Sequence, residues 1–147
     1  MIVGKQDQSI RNFWSQMRGK EHGICEVVYW EFLRKYGKKQ NDEPRQNFMK
    51  AIANGMFAPL LFDRIAADVA IEIYKHIHTR LRTDIEDKEK RRKRMLELQC
   101  DIQIAATAVR HRRIVVTDDV VDWKILRNIV EGNSLGKLPL LLKDDMR

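Results

Sequence analysis

The sequence predicts an α/β fold in which helices cover both faces of a central, mainly parallel sheet. Helical segments with apolar stripes alternate with short apolar runs along the whole chain, as in strands joined by crossover helices. The run 113–117 (RIVVT) is continuous in β-branched residues, which is typical of a strand buried on both faces. We find no internal repeat and no linker, so residues 1–147 are expected to form one domain.

Apolar spacing and turn residues predict the elements of the first half of the chain. These are a helix over 7–18, a strand over 23–28, helices over 29–36 and 45–53, and a strand over 57–62. Gly37 is expected to close the second helix, and Pro44 marks a loop or the entry to the third.

The second half is predicted in the same way. Its elements are a long helix from Asp63, a charge-rich run over 84–98 that continues as helix or loop, a helix over 101–111, a strand over 113–117, a helix over 119–130 ended by Gly132, and a strand over 138–142. The long helix carries an apolar stripe of residues spaced by four, namely Ile65, Val69, Ile73, Ile77 and Leu81. Asp63 is its expected N-cap.

Composition limits the class of protein. The chain carries 28 basic and 21 acidic residues, and its net charge of +7 indicates a polyanionic partner, either a nucleic acid or an acidic protein. No run approaches the roughly 18–20 apolar residues of a membrane span, and residues 1–12 are charged too early for a signal peptide. We therefore expect a cytoplasmic protein. Cys25 and Cys100 are expected to be reduced thiols of the core.

Acidic residues mark the candidate site, since no phosphate-binding glycine loop and no nucleophile with its base are apparent. Acids instead follow predicted strands, at the sheet edge where sites form in open α/β folds. Taken singly, Asp101 and Asp119 are also plausible helix N-caps, Asp122 suits a first helical turn, and Glu31 suits a solvated helix. Their shared spacing favours a site.

The segment 101–123 resembles the pattern of PIN-domain nucleases. It contains DIQIAATA, then IVVTDD, then DW, and is similar to the family's D-x-x-I-A-A-x-A, V-T-x-[ND] and D-[FW]. The helix after Asp63 is similar to the helix that precedes this pattern in VapC-type toxins. The segment 24–31 resembles the strand-to-helix element that carries the family's second acid, here Glu31.

The resemblance implies a metal-dependent endoribonuclease of the toxin–antitoxin type, acting as a homodimer and silenced by a cognate antitoxin. It implies that Glu31, Asp101, Asp119 and Asp122 surround one or two Mg²⁺ or Mn²⁺ ions, and that Thr117 orients a carboxylate or phosphate. Hard divalent cations prefer carboxylate oxygens. A bound metal lowers the pKa of a coordinated water and offsets charge on the phosphoryl group.

The chain departs from the PIN pattern at its start. The family opens with a strand and a D-[TS]-[NS] motif whose Asp is the first metal ligand, whereas here residues 1–3 (MIV) are followed by Gly4. Either the true N-terminus lies upstream, or the chain is a natural variant whose first strand and ligand are missing or degenerate. The second case predicts a catalytically degenerate PIN-like module that binds RNA or a partner protein.

A basic run lies in an apparent helical insertion at about 83–98. It supplies six cations, Lys88, Lys90, Arg91, Arg92, Lys93 and Arg94. Two interpretations stay open: a solvated helix face balanced by nearby acids, or a phosphate-binding ridge that leads RNA to the acidic site. Trp30 and Trp123 are expected to pack in the core rather than to stack on bases.

Overall fold

The structure is a computed structural model that describes residue 15 and residues 18–36 and 43–142. Its elements in chain order are β1 (Gly23–Cys25), α1 (Glu26–Tyr36), α2 (Glu43–Ala53), β2 (Ala58–Leu60), α3 (Arg64–Asp84), α4 (Lys88–His111), β3 (Val115–Thr117), α5 (Val120–Gly132) and β4 (Leu140–Leu142). Most of the predicted helix over 7–18, and the position of Gly4, lie outside the described residues.

The strands form two parallel pairs. β1 pairs with β2, with Cys25 opposite Leu60, and β3 pairs with β4, with Val115 opposite Leu140. Helices connect the members of each pair, as parallel strands require. The prediction of an α/β chain with parallel strands is confirmed. The described residues do not form one central sheet, because no strand among them bridges the two pairs.

The strands are shorter than predicted. Each spans three residues, and the predicted strand over 23–28 gives way to α1 at Glu26. The negative charge of Glu26 favours the first turn of a helix, where the backbone N–H groups lack partners. Apolar runs too short for a full helical turn do not reveal where a strand becomes a helix.

Helices α3 and α4 form a hairpin across a three-residue link, residues 85–87. The Asp63 carboxylate accepts a hydrogen bond from the Ala66 N–H at 2.9 Å, which confirms Asp63 as the N-cap of α3. Asp87 caps α4 in the same way, by accepting from the Lys90 N–H at 2.9 Å. The predicted stripe is confirmed for Ile73 and Ile77, which are buried, but Ile65 is 53% exposed.

The prediction that a helix begins at Asp101 is wrong. Asp101 lies inside α4, which runs unbroken from Lys88 to His111. Met95, Leu98 and Ile102 are all buried, so the packed face continues across the expected break. The basic insertion at 83–98 is therefore the end of α3, the link and the first turns of α4.

One apolar core joins α3, α4, α5 and the second strand pair. Its residues with no measurable exposure are Ile73, Ala105, Ala106, Leu126, Val130 and Leu138. Trp123 belongs to this core at 4% exposed, which confirms its predicted role. Across the described ranges, no helix combines the length and the apolar character that crossing a bilayer demands.

Candidate metal centre

Three carboxylates meet where the middle of α4 faces the start of α5. Asp101 is on α4, Asp119 closes the turn after β3, and Asp122 lies in the first turn of α5. One oxygen from each carboxylate lies within 4.8 Å of the others. We call these three residues the acidic cluster. The structure thus brings together three of the four acids that the sequence predicted.

The turn between β3 and α5 holds two of the acids in place. The Thr117 hydroxyl accepts a hydrogen bond from the Asp119 N–H at 3.1 Å. One Asp119 oxygen in turn accepts from the Asp122 N–H at 3.1 Å, so Asp119 is the N-cap of α5. Its second carboxylate oxygen has no hydrogen-bond partner among the described residues. The Thr117 hydroxyl therefore contacts the backbone of one acid of the cluster.

The spacing of the acidic cluster suits a divalent ion after a small inward movement. Two oxygens bound to one Mg²⁺ lie about 3 Å apart when adjacent and about 4 Å apart when opposite. The carboxylate oxygens of the acidic cluster lie within 4.8 Å of one another, a slightly wider spacing than around a bound Mg²⁺. Asp101 and Asp122 are partly buried and Asp119 is exposed, so the cluster is open to solvent on one side.

Electrostatics at the cluster favour a cation. The pKa of Asp101 is raised to about 6, chiefly because burial removes water from its carboxylate. The charges of Asp119 and Asp122 raise it further, and Glu31 adds to the effect. Arg94 opposes the shift. Three neighbouring carboxylates are a donor set that a hard cation stabilises.

Arg94 lies at the acidic cluster. Its guanidinium forms a hydrogen-bonded ion pair with Asp122 and a second ion pair with Glu97 at 3.3 Å. The Asp122 side chain is 16% exposed and that of Arg94 is 30% exposed, so the pair is largely screened from water. The sequence placed Arg94 with the RNA-binding cations, but the structure gives it an internal partner.

Glu31, the fourth predicted ligand, lies beside the cluster. It is on α1, where it pairs with Arg34 at 3.7 Å and its side chain is 41% exposed. Burial raises the pKa of the Cys100 thiol, and a hydrogen bond with Glu31 raises it further. Glu31 is close enough to act on Asp101, yet it is not among the three acids whose oxygens converge.

The basic run divides into two groups. Lys88, Lys90, Arg92 and Lys93 are exposed and form no ion pair with a residue that the structure describes. Arg91 donates hydrogen bonds to the carbonyls of Ile85 and Glu86, at 2.7 and 2.6 Å, and so holds the link between α3 and α4. Four of the six cations are therefore available to bind phosphate.

The prediction that Trp30 packs in the core is wrong. Trp30 is 64% exposed and lines an open groove of about 460 Å³. The other lining residues are Glu26, Val27, Phe62, Gln99, Cys100 and Gln103. Helical periodicity places Trp30 on the side of α1 that carries Glu26 and Arg34, a signal that could have shown that it lies outside the core.

No protein-family model, no curated protein and no solved structure matches the chain. What the site does is therefore inferred from its own residues, together with the resemblance of the segment 101–123.

Proposed function

We propose that the protein is a metal-dependent endoribonuclease that hydrolyses RNA phosphodiester bonds at the acidic cluster. The convergence of Asp101, Asp119 and Asp122 within 4.8 Å supports this proposal most directly. Asp101 reaches the cluster from another helix, 18 positions before Asp119, so capping of α5 does not explain its presence. The net charge of +7 is also suited to a polyanionic substrate.

Asp101, Asp119 and Asp122 would hold Mg²⁺ or Mn²⁺, with Glu31 as the nearby fourth acid. When bound, such an ion supplies an acidified water and offsets charge on the phosphoryl oxygens. Thr117 keeps Asp119 oriented through its contact with the Asp119 N–H. Arg94 holds Asp122 and adds positive charge next to the place where a phosphate would lie.

The exposed cations of α4 would guide RNA toward the cluster. Lys88 and Lys93 lie on the same helix as Asp101, about 20 and about 12 Å before it along the axis at about 1.5 Å per residue. That distance corresponds to a few nucleotides of extended RNA. A carboxylate cluster repels a polyanion, so neighbouring cations are needed to bring the substrate close.

The biological role in this proposal comes from the resemblance of segment 101–123 to VapC-type PIN domains. In that role the protein would be a toxin that acts as a homodimer in the cytoplasm and is inhibited by a cognate antitoxin. These parts are separable from the chemistry. Failure to find an antitoxin would leave the proposed cleavage reaction intact.

Incubating the purified protein with single-stranded and structured RNA tests the reaction. We expect cleavage with Mn²⁺ and none with EDTA. Asp101→Asn should slow cleavage by more than about 100-fold, because loss of a group that only orients a ligand already costs about 10–100-fold. Asp118→Asn is the matched control, since this exposed neighbour is not in the acidic cluster. Equal cleavage by Asp101→Asn and wild type would overturn the assignment.

The alternative function is a catalytically degenerate module that binds RNA or a partner without cutting. Two observations favour it: Gly4 stands where the family has its first acid, and Arg94 already provides Asp122 with an internal cation. Pure, folded protein that binds RNA but does not cut it with Mn²⁺ would support this alternative over the enzyme.

A further inference from the structure

We infer that the groove beside the acidic cluster binds a nucleobase of single-stranded RNA, with Trp30 as its stacking surface. The groove assignment rests on the proposed action on RNA and deepens it. It names the part of the substrate that is held next to the cleavage site.

The exposure of Trp30 is the first reason. Tryptophan is usually highly buried, as Trp123 is at 4% exposed, whereas Trp30 is 64% exposed at the rim of a groove. An exposed indole offers a flat apolar surface, and every base has a matching π-face. Phe62 and Val27 extend the apolar part of the groove.

The polar groups of the groove suit the edge of a base. Gln99 and Gln103 lie one turn apart on α4 and both line the groove. Each amide offers a donor and an acceptor, the two functions that a base edge presents. Among the described lining residues, Glu26 alone carries a charge, and its carboxylate accepts from the Phe62 N–H at 3.4 Å. Because none of the lining residues that the structure describes is a cation, the groove suits a neutral base better than a phosphate.

The groove adjoins the acidic cluster through Cys100. Cys100 lines the groove and directly precedes Asp101 in α4. Gln99 and Gln103 each lie two residues from Asp101, on a different side of α4. A base held in the groove would therefore lie around the helix from a phosphate at the cluster, with Cys100 between the two.

Binding of fluorescein-labelled hexauridylate and hexaadenylate, measured by anisotropy in EDTA, tests the groove without cleavage. Trp30→Ala should weaken binding by about 5- to 150-fold, the usual cost of losing one base–aromatic stack, and Trp30→Phe by less. Because stacking releases no counterions, the slope of log affinity against log salt concentration should be the same for Trp30→Ala as for wild type. Lys93→Gln should instead lower that slope by about 0.7.

Tyr74→Ala is the matched control, because Tyr74 is an exposed aromatic residue on α3 outside the groove. Its RNA affinity should equal that of wild type. Gln103→Leu should change the ratio of the affinities for the two oligonucleotides. This variant still tests the groove if circular dichroism shows that Trp30→Ala does not fold. The inference is overturned if folded Trp30→Ala binds RNA as tightly as wild type. It is also overturned if the loss of affinity is accompanied by a smaller salt slope.

Failure of the groove and failure of the enzyme proposal give different results. If cleavage needs Asp101 but RNA binding does not depend on Trp30, the groove inference is refuted and the enzyme proposal stands. Trp30-dependent binding without any Mn²⁺-dependent cleavage would support the groove and refute the enzyme proposal.

Discussion

At Asp101, burial and neighbouring negative charge act on one ionisable group. The side chain extends from a helix interior toward Asp119 and Asp122, and its pKa rises to about 6. Near neutral pH the folded protein therefore holds a carboxylate in a site that disfavours its charge. Such a residue weakens the fold unless a cation binds beside it.

Replacing Asp101 by asparagine is expected to stabilise the metal-free protein at neutral pH. The folded pKa of about 6 exceeds the ordinary value of 3.8, so the folded state binds the proton more tightly. The contribution of Asp101 to the free energy of unfolding is therefore fully present below about pH 4 and is lost as pH rises through about 6. Asparagine does not titrate, so Asp101→Asn should gain about 1–3 kcal/mol at pH 7 in EDTA.

Urea unfolding at pH 4 and pH 7 measures this difference. The gain should disappear at pH 4, where both side chains are neutral in the folded state. Mn²⁺ should reduce the gain at pH 7, because it stabilises only the protein with the intact cluster. Asp118→Asn should show no comparable gain. An Asp101→Asn gain as large at pH 4 as at pH 7 would contradict the proposed cause.

At the scale of the element, α4 carries two charged features along one axis. Its first turns carry the basic run, and its middle carries Asp101. Arg91 and Arg94 are three residues apart and share a face of the helix, whereas Arg92 and Lys93 between them face elsewhere. Arg91 and Arg94 therefore turn toward the link and the acidic cluster, and the other four cations stay exposed.

We expect the two groups of cations in the run to differ in what they support. Changing Lys88, Lys90, Arg92 and Lys93 together to glutamine should lower the salt slope of RNA binding by about 3, since each lost phosphate contact contributes about 0.7. Stability should hardly change. Arg91→Gln should instead cost about 1–2 kcal/mol, because two carbonyls of the link lose a charged donor.

Oligonucleotide titrations at several salt concentrations, paired with urea unfolding, separate the two effects. Arg91→Gln serves as the control for the quadruple variant, since it removes a cation of the same run. A quadruple variant with an unchanged salt slope would show that the exposed group does not contact RNA phosphates.

At the scale of the whole molecule, the acidic cluster depends on the core that joins three helices. Leu126 is fully buried on α5, four residues after Asp122. It belongs to the apolar core, together with side chains from α3, α4 and β3. The first strand pair connects to this core region through α4, where the Cys25 thiol donates to the Thr107 hydroxyl at 3.5 Å. Loosening the core should therefore separate α4 from α5 and disperse the acids.

Leu126→Ala is expected to lower the free energy of unfolding by about 2–5 kcal/mol, through lost burial and the cavity left behind. Mn²⁺ affinity, followed by calorimetry, should fall along with it. Leu96→Ala provides the control, because Leu96 on α4 is 62% exposed and its loss should cost little. Equal stabilities for the two variants would mean that α5 does not pack as described.

The sequence by itself determined the order of helices and short strands, the N-cap at Asp63, and the burial of Ile73 and Trp123. These features depend on interactions within a few residues, or on a periodicity that any packed helix must show. It also singled out the acids of the cluster, but through a family resemblance rather than through spacing alone.

Only the tertiary structure decided which distant groups meet. It placed Arg94 on Asp122, exposed Trp30 at a groove, and divided the strands into two pairs. It also brought Asp101, inside an unbroken helix, to Asp119. Partners so far apart along the chain are chosen by the packing of whole elements. Local propensity and periodicity indicate which face of a helix is buried, but they carry no information about which distant element covers that face.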